Sequence, residues 1–271
     1  MRLAISNIAW EPEEDSAVGA ALLAAGVSAL EIAPTKIWRA PLEATEPEVR
    51  AYGAALAARG FTPVALQALL FGHPELTVFD NADTRAQTEE YLAGMLQLAA
   101  WLGARVLVFG SPKNRRRNGS PLEEAVAIAR GFFRRLGDRA ARLGVQLSIE
   151  PNPAEYGCDF IRTLSEGAEL VRLVGSPGFR LHADASAMIL NGEEASVALA
   201  GSFDCLAHFH ISDPFLGVPG PNARQHRSFA RELRALGYPG YASIEMRSGL
   251  RASNLEAIQS ALEFARQIYS D

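Results

Sequence analysis

Cysteine is scarce in this chain. Its two copies, Cys158 and Cys205, make neither a disulfide framework nor a paired-thiolate metal motif, which excludes a small disulfide-stapled secreted fold and points to a reducing, cytoplasmic compartment. Positive charge is also in short supply, since 26 Lys and Arg against 31 Asp and Glu leave a formal net charge of −5. A surface that binds nucleic acid by neutralising many phosphates is therefore not expected. Long apolar runs are missing too. The least polar stretch, "AVGAALLAAGVSAL" at 17–30, falls short of the ~20 apolar residues of a membrane span. No basic segment with an apolar signal core precedes the strand-like "RLAIS" at 2–6, as expected of an unprocessed chain with no membrane partner. "NIAWEPEED" follows that strand in place of a glycine-rich dinucleotide fingerprint, which speaks against a nicotinamide-dependent enzyme. No low-complexity tract or composition break divides the chain, so residues 1–271 read as one domain.

What is present is a repeating alternation. Hydrophobic residues make up 48% and charged ones 21%, ample for a folded core. Eight short apolar or β-branched runs recur: "RLAIS" (2–6), "ALEIAP" (29–34), "TPVALQA" (62–68), "RVLVFG" (105–110), "VQLSIE" (145–150), "FRLHAD" (179–184), "LAHFHI" (206–211) and "YASIEM" (241–246). Each precedes a stretch of helical periodicity, the pattern of parallel βα units. Eight units in about 250 residues predict a closed (β/α)8 TIM barrel; an open doubly wound sheet is the alternative. Thr84 reads as the start of one helix ending at Gly103. Ser120, followed by Pro121 and Glu123, reads as a capping box for another, ending at Gly144; Gly237 ends a third.

Four of the runs end in groups a buried strand does not need. Side chains two apart share a strand face, so Glu150, Asp184, His210 and Glu245 point inward at the C-terminal ends of the fifth to eighth strands while Leu147, Ile149, Leu181, Ala183, Phe209, Ile211 and Ile244 point outward. The intervals between the four are each close to one βα unit, which predicts convergence at one height on the catalytic face of a barrel. Three carboxylates confined together repel one another and resist desolvation unless a cation sits among them. A divalent metal is the expectation, and the mixed oxygen and nitrogen set suits Mn2+, Mg2+, Co2+ or Fe2+.

The order Glu150, Asp184, His210, Glu245, with "IEP" at the fifth strand and "SIEM" at the eighth, resembles the sugar phosphate isomerase/epimerase family of xylose isomerase-like TIM barrels, including the ketose 3-epimerases. The resemblance implies one divalent ion held by all four residues, Mn2+ first, with Mg2+, Co2+, Fe2+ or Zn2+ as alternatives. It also implies that Glu150 and Glu245 move protons. A metal chelated by a ketone and the neighbouring hydroxyl acidifies the C–H between them and stabilises the enediolate. The family further implies a homodimer or homotetramer. Ala187 stands where these epimerases place a substrate-binding histidine, and no arginine follows His210 before Arg224; the metal chemistry is thus implied without a free ketohexose as substrate.

Other residues are candidates for contact with a carbohydrate-like substrate. Trp10, Lys36 and Trp38 follow the first two strands, with Glu31 inward below them; Gln67 and His73 flank the end of the third. Asn152 lies just beyond Glu150 and Asp213 just beyond His210. Lys113, Arg115, Arg116 and Arg117 in "GSPKNRRRNGS" suit a phosphate or carboxylate clamp. His182 and His208 lie one inward step below Asp184 and His210, suited to supporting a ligand or to touching substrate. "SDPFLGVPGPNARQH" reads as a lid.

The reading is a metal-dependent sugar, or sugar phosphate, isomerase or epimerase. Alternatives are a dehydratase of inosose type on the same barrel, or a non-catalytic carbohydrate-binding protein. A DNA-repair barrel with a trinuclear zinc site needs more histidines than the five here.

Overall fold

The computed structural model describes residues 1–270. In chain order the elements are β1 (Arg2–Ser6), α1 (Asp15–Ala24), β2 (Ala29–Ile32), α2 (Glu46–Ala58), β3 (Thr62–Leu66), α3 (Ala82–Leu102), β4 (Val106–Phe109), α4 (Leu122–Leu143), β5 (Gln146–Ile149), α5 (Leu164–Val174), β6 (Phe179–Asp184), α6 (Ala185–Leu190), α7 (Ala195–Ser202), β7 (Leu206–Ser212), α8 (Ala223–Ala235), β8 (Tyr241–Glu245) and α9 (Asn254–Tyr269). The eight strands are parallel and close in the order β1 to β8, with β8 pairing back onto β1. The open doubly wound alternative is thereby excluded. No helix among the described residues is long and apolar enough to cross a membrane.

Alternation along the strands divides the apolar side chains into two layers. Leu147, Ile149, Leu181, Phe209, Ile211 and Ile244 are fully buried in the large cluster between barrel and helices. A smaller cluster contains Ala4, Ala29, Ala65, Val106 and Val108. Val108 pairs with Ser148 and Ala4 with Ser243, and parallel partners share a face, so this second cluster packs the barrel interior beneath the polar strand tips.

Two helix starts differ from the sequence reading. Helix α3 begins at Ala82, and Asn81 rather than Thr84 is its cap, the Asn81 side chain accepting from the Thr84 N–H at 2.9 Å. Ser120 caps nothing: α4 begins at Leu122 after Pro121, with no side-chain cap. The stops hold, because Gly103 and Gly144 take φ of 86° and 72°, a conformation L side chains disfavour.

Candidate metal centre at the barrel mouth

Strands β5 to β8 lie side by side, and their register builds the site. His182 pairs with His208, Asp184 with His210, His210 with Ser243 and Ser212 with Glu245. Ile149 pairs with Leu181, which sets Glu150 level with His182. The four tips therefore do not share one height. Closing a barrel requires a register stagger, and it lifts Glu245 one inward step above His210. The glutamate spans that step: its Oε2 reaches 3.3 Å from His210 Nδ1.

Asp184 is held from two sides. Its Oδ1 accepts from the Ala187 N–H at 2.7 Å, so it also caps α6, and its Oδ2 accepts from the Ser212 hydroxyl. Ser212 in turn accepts from the Ser186 N–H at 3.0 Å. A carboxylate has about four lone-pair positions, so capping leaves Asp184 free to ligate. Gly110 admits the remaining acid, because a Cβ there would overlap Glu150 Oε2.

The sequence marks Glu31 only as an inward-facing residue, yet it is wholly buried at the centre of the site's support. It accepts from His210 Nε2 at 3.0 Å and sits 3.4 Å from His208 Nε2. With Nε2–H committed to Glu31, Nδ1 is the His210 nitrogen left to face the carboxylates; it has no aligned hydrogen-bond partner and lies 3.9 Å from Asp184 Oδ2. An acid that orients a histidine in this way is a recurrent feature of metal sites.

The electrostatics express crowding. Burial first, then the charges of Asp184 and Glu245, pushes Glu150 up to about 8. Asp184 is raised by burial and then by Glu245, against the opposing pull of His210 and Ser212. Burial would lower His210, but Glu31 and Glu245 outweigh it and hold the imidazole well above its usual range. Burial would raise Glu31, and His210 with His208 hold it well below instead. His182 is driven well down by burial, then by the neighbouring imidazoles.

A divalent cation fits these residues. Ligand atoms from Glu150, His182, Asp184 and His210 all lie within 4.8 Å of one another, Glu245 stands beside His210, and an unpartnered imidazole nitrogen faces carboxylates that repel each other. The side chains of Glu150 and Glu245 are 14% and 16% exposed, against 4% and 1% for Asp184 and His210. The two glutamates are thus the acids that open toward the mouth.

The other candidates divide. Arg115 is fully buried, and its guanidinium donates to the carbonyls of Gly110, Glu150 and Phe160 at 2.8, 2.5 and 3.0 Å. Arg116 and Arg117 donate to the carbonyls of Gly157 and Asp159. The expected anion clamp is therefore a staple between the loops after β4 and β5; Lys113 alone of that cluster is exposed without a partner among the described residues. Asp213 is turned into its own loop, accepting from the Gly220 N–H at 2.7 Å and from Asn222. That loop, read as a lid, is also tied by Phe215 N–H to Tyr156 Oη at 2.9 Å and by Arg247 N–H to the Leu216 carbonyl at 3.0 Å.

Trp10 and Lys36 line a cavity of about 200 Å³ with Asn7, Asp15, Ile37 and Tyr52, a set containing none of the ligand candidates. Lys36 donates to the Trp10 carbonyl at 2.5 Å, and Trp38 packs edge-on to Tyr52. Gln67 is buried, donates to Ser6 at 2.8 Å and leaves its Oε1 unpartnered. His73 stays partly exposed beside Glu75 and Tyr91. Asn152 is buried next to the Glu150 carbonyl.

The family model of the xylose isomerase-like TIM barrel matches residues 20–268. No functionally curated protein matches the chain. Among solved structures, the D-psicose 3-epimerase of Clostridium cellulolyticum H10 with D-tagatose superposes with a TM-score of 0.82 at 16% identity over 100% of both chains. The 3-keto-D-glucoside 4-epimerase of E. coli gives 0.80 at 19% identity, covering 98% of this chain and 99% of that one. The IOLI protein with a bound zinc atom gives 0.76 at 19% identity, covering 100% and 98%. At these identities the likeness is one of fold.

Proposed function

Because the chain belongs to the xylose isomerase-like TIM barrel family, we propose that it is a divalent-metal-dependent isomerase or epimerase of a sugar or sugar-like ketone. Glu150, Asp184, His210 and Glu245 hold the ion. Three carboxylates and one imidazole suit a hard or borderline cation, with Mn2+ as the first choice. Bound there, the ion supplies Lewis acidity to a carbonyl and its neighbouring hydroxyl.

The observation that carries this reading is the placement of Glu150 and Glu245. Both stand at the open side of the cluster, while Asp184 and His210 are sealed beneath. The two glutamates are the groups placed to remove a proton from carbon and to return one, with Glu245 as the base and Glu150 as its partner. Two proton-transfer groups on separate strands serve epimerisation when they face opposite sides of the carbon, and isomerisation when one serves two adjacent carbons. Neighbours in fold whose names specify sugar epimerases support the substrate class.

The test is proton exchange. The metal-loaded protein is incubated in D2O with ketoses, ketose phosphates, 3-keto-glycosides and inososes, and the C–H signals beside the carbonyl are followed by NMR. Metal-dependent loss of one signal supports the proposal, and its position separates epimerase from isomerase. Elimination of water from an inosose would replace the proposal with a dehydratase, and tight binding without exchange anywhere would replace it with a carbohydrate-binding protein.

A further inference from the structure

The sequence pattern assigns the ion four ligands; the structure places a fifth group among them. His182 is fully buried, and neither its Nδ1 nor its Nε2 has a hydrogen-bond partner among the described residues. A buried polar atom left unpaired costs roughly 1–3 kcal/mol, and here one ring has two. The ring is not merely adrift in the core. The register sets it level with Glu150, and its Nε2 lies 3.9 Å from Glu150 Oε1. Its ring centroid is 4.1 Å from that of His210, the planes crossing at 70°. Its ligand atom belongs to the group with Glu150, Asp184 and His210 in which every pair lies within 4.8 Å, a span compatible with ligands gathered on one ion at about 2.0–2.2 Å each.

Serine or backbone partners that would mark a purely structural histidine are missing among the described residues. Ser148 Oγ, an inward step below Glu150, and Ser243 Oγ, level with His210, are themselves unpartnered. His208, at the same level on β7, is by contrast engaged by Glu31. Of the inward imidazoles, only His182 has both nitrogens uncommitted.

We propose that His182 is a direct ligand of the ion through Nε2, giving a site with two imidazoles and three carboxylates whose cation preference is moved from Mn2+ and Mg2+ toward Co2+, Fe2+ and Zn2+. The added nitrogen sets that direction, since imidazole suits Zn and Fe while carboxylate and water suit Mg and Mn. The inference rests on the metal site proposed above and goes beyond it by naming a ligand and the selectivity it confers.

Pulsed EPR of the Mn2+-loaded protein, with and without 15N-histidine labelling, counts coordinated imidazoles directly and needs no variant. Two coordinated nitrogens are expected in the unaltered protein and one in His182→Leu. In parallel, Co2+ affinity should fall by about 10- to 100-fold in His182→Leu and in the polar control His182→Asn, on the scale of site-residue losses, while Mn2+ affinity falls less. One coordinated nitrogen in the unaltered protein, or equal losses for both metals, overturns the assignment and leaves the metal-dependent reading intact. A chain that binds neither ion overturns both.

Discussion

Glu31 on β2 and His210 on β7 meet across the barrel interior, Oε2 to Nε2 at 3.0 Å, although neither strand pairs with the other. The contact decides which nitrogen of His210 faces the carboxylates. Replacing Glu31 by Ala should lower Mn2+ or Co2+ affinity by about 10- to 100-fold, and Gln, which still accepts from Nε2–H, should recover part of the loss. Isothermal titration measures the affinity, and 15N shifts of the His210 ring report the tautomer. Unchanged affinity in Glu31→Ala would remove Glu31 from the site.

A side chain at Gly110 is expected to disturb the site rather than the fold. A Cβ would overlap Glu150 Oε2, so Gly110→Ala must displace the carboxylate. A shift of about 1 Å at a proton-transfer group costs on the order of 100-fold in rate. Steady-state kinetics beside a thermal melt separate this from unfolding: the expected variant is folded, with kcat reduced and metal affinity weakened.

Glu245→Gln keeps the shape of the acid and removes its basicity. Loss of a general base costs roughly 10²- to 10⁴-fold, so deuterium exchange into substrate should fall by that range. Substrate binding, followed by calorimetry with metal present, should fall far less. Full exchange activity would exclude Glu245 as the base.

Metal binding should strengthen with pH. Glu150 is held up to about 8, from an ordinary value of 4.5, and His210 well above its usual range, so at pH 7 the ion must displace a proton from each. Affinity should rise from acid pH through about 8. The sign for stability is opposite: between 4.5 and about 8 the folded protein without metal binds more protons than the unfolded chain, so this group's contribution is greatest below 4.5 and declines as pH rises through that window. Urea titrations at pH 5 and 8, with and without metal, test both signs. His182 and His226, both lowered by burial, act in the opposite sense, so Glu150→Gln isolates the group: a metal-free variant with the same pH slope as the unaltered protein would contradict the Glu150 assignment.

Arg115 is expected to matter to folding rather than to substrate. Its guanidinium is committed to the carbonyls of Gly110, Glu150 and Phe160, and stranding buried acceptors costs roughly 1–3 kcal/mol each. Asn152 still donates to the Glu150 carbonyl and the Cys158 thiol to that of Phe160, so Arg115→Met strands chiefly the Gly110 carbonyl and should lower the unfolding free energy by about 1–3 kcal/mol, read from urea denaturation. The folded fraction should retain its KM for phosphorylated and unphosphorylated substrates alike; a selective rise for phosphorylated ones would restore the anion clamp.

The local signals in this chain suffice for the barrel and for the inward placement of its four acid and imidazole strand tips. Strand alternation is a period of two and helical patterning a period of 3.6, both written into neighbouring residues. "FRLHAD" thus delivers Asp184 inward at a strand end without any knowledge of the fold, and β6 runs from Phe179 to Asp184 as read. Contacts that depend on closure are not written locally. Only the staggered register lifts Glu245 above His210, and only the closed barrel carries Glu31 to His210. Nor does the sequence say what a polar group meets: Arg115 reads as a solvent-facing clamp because its charge is visible and the three carbonyls that absorb it are not. His182 reads as a residue that supports a ligand or touches substrate, because parity places it a step below Asp184. That step is level with Glu150, and the tertiary packing decides that one ring nitrogen stands among the ligand atoms while neither nitrogen has a hydrogen-bond partner among the described residues.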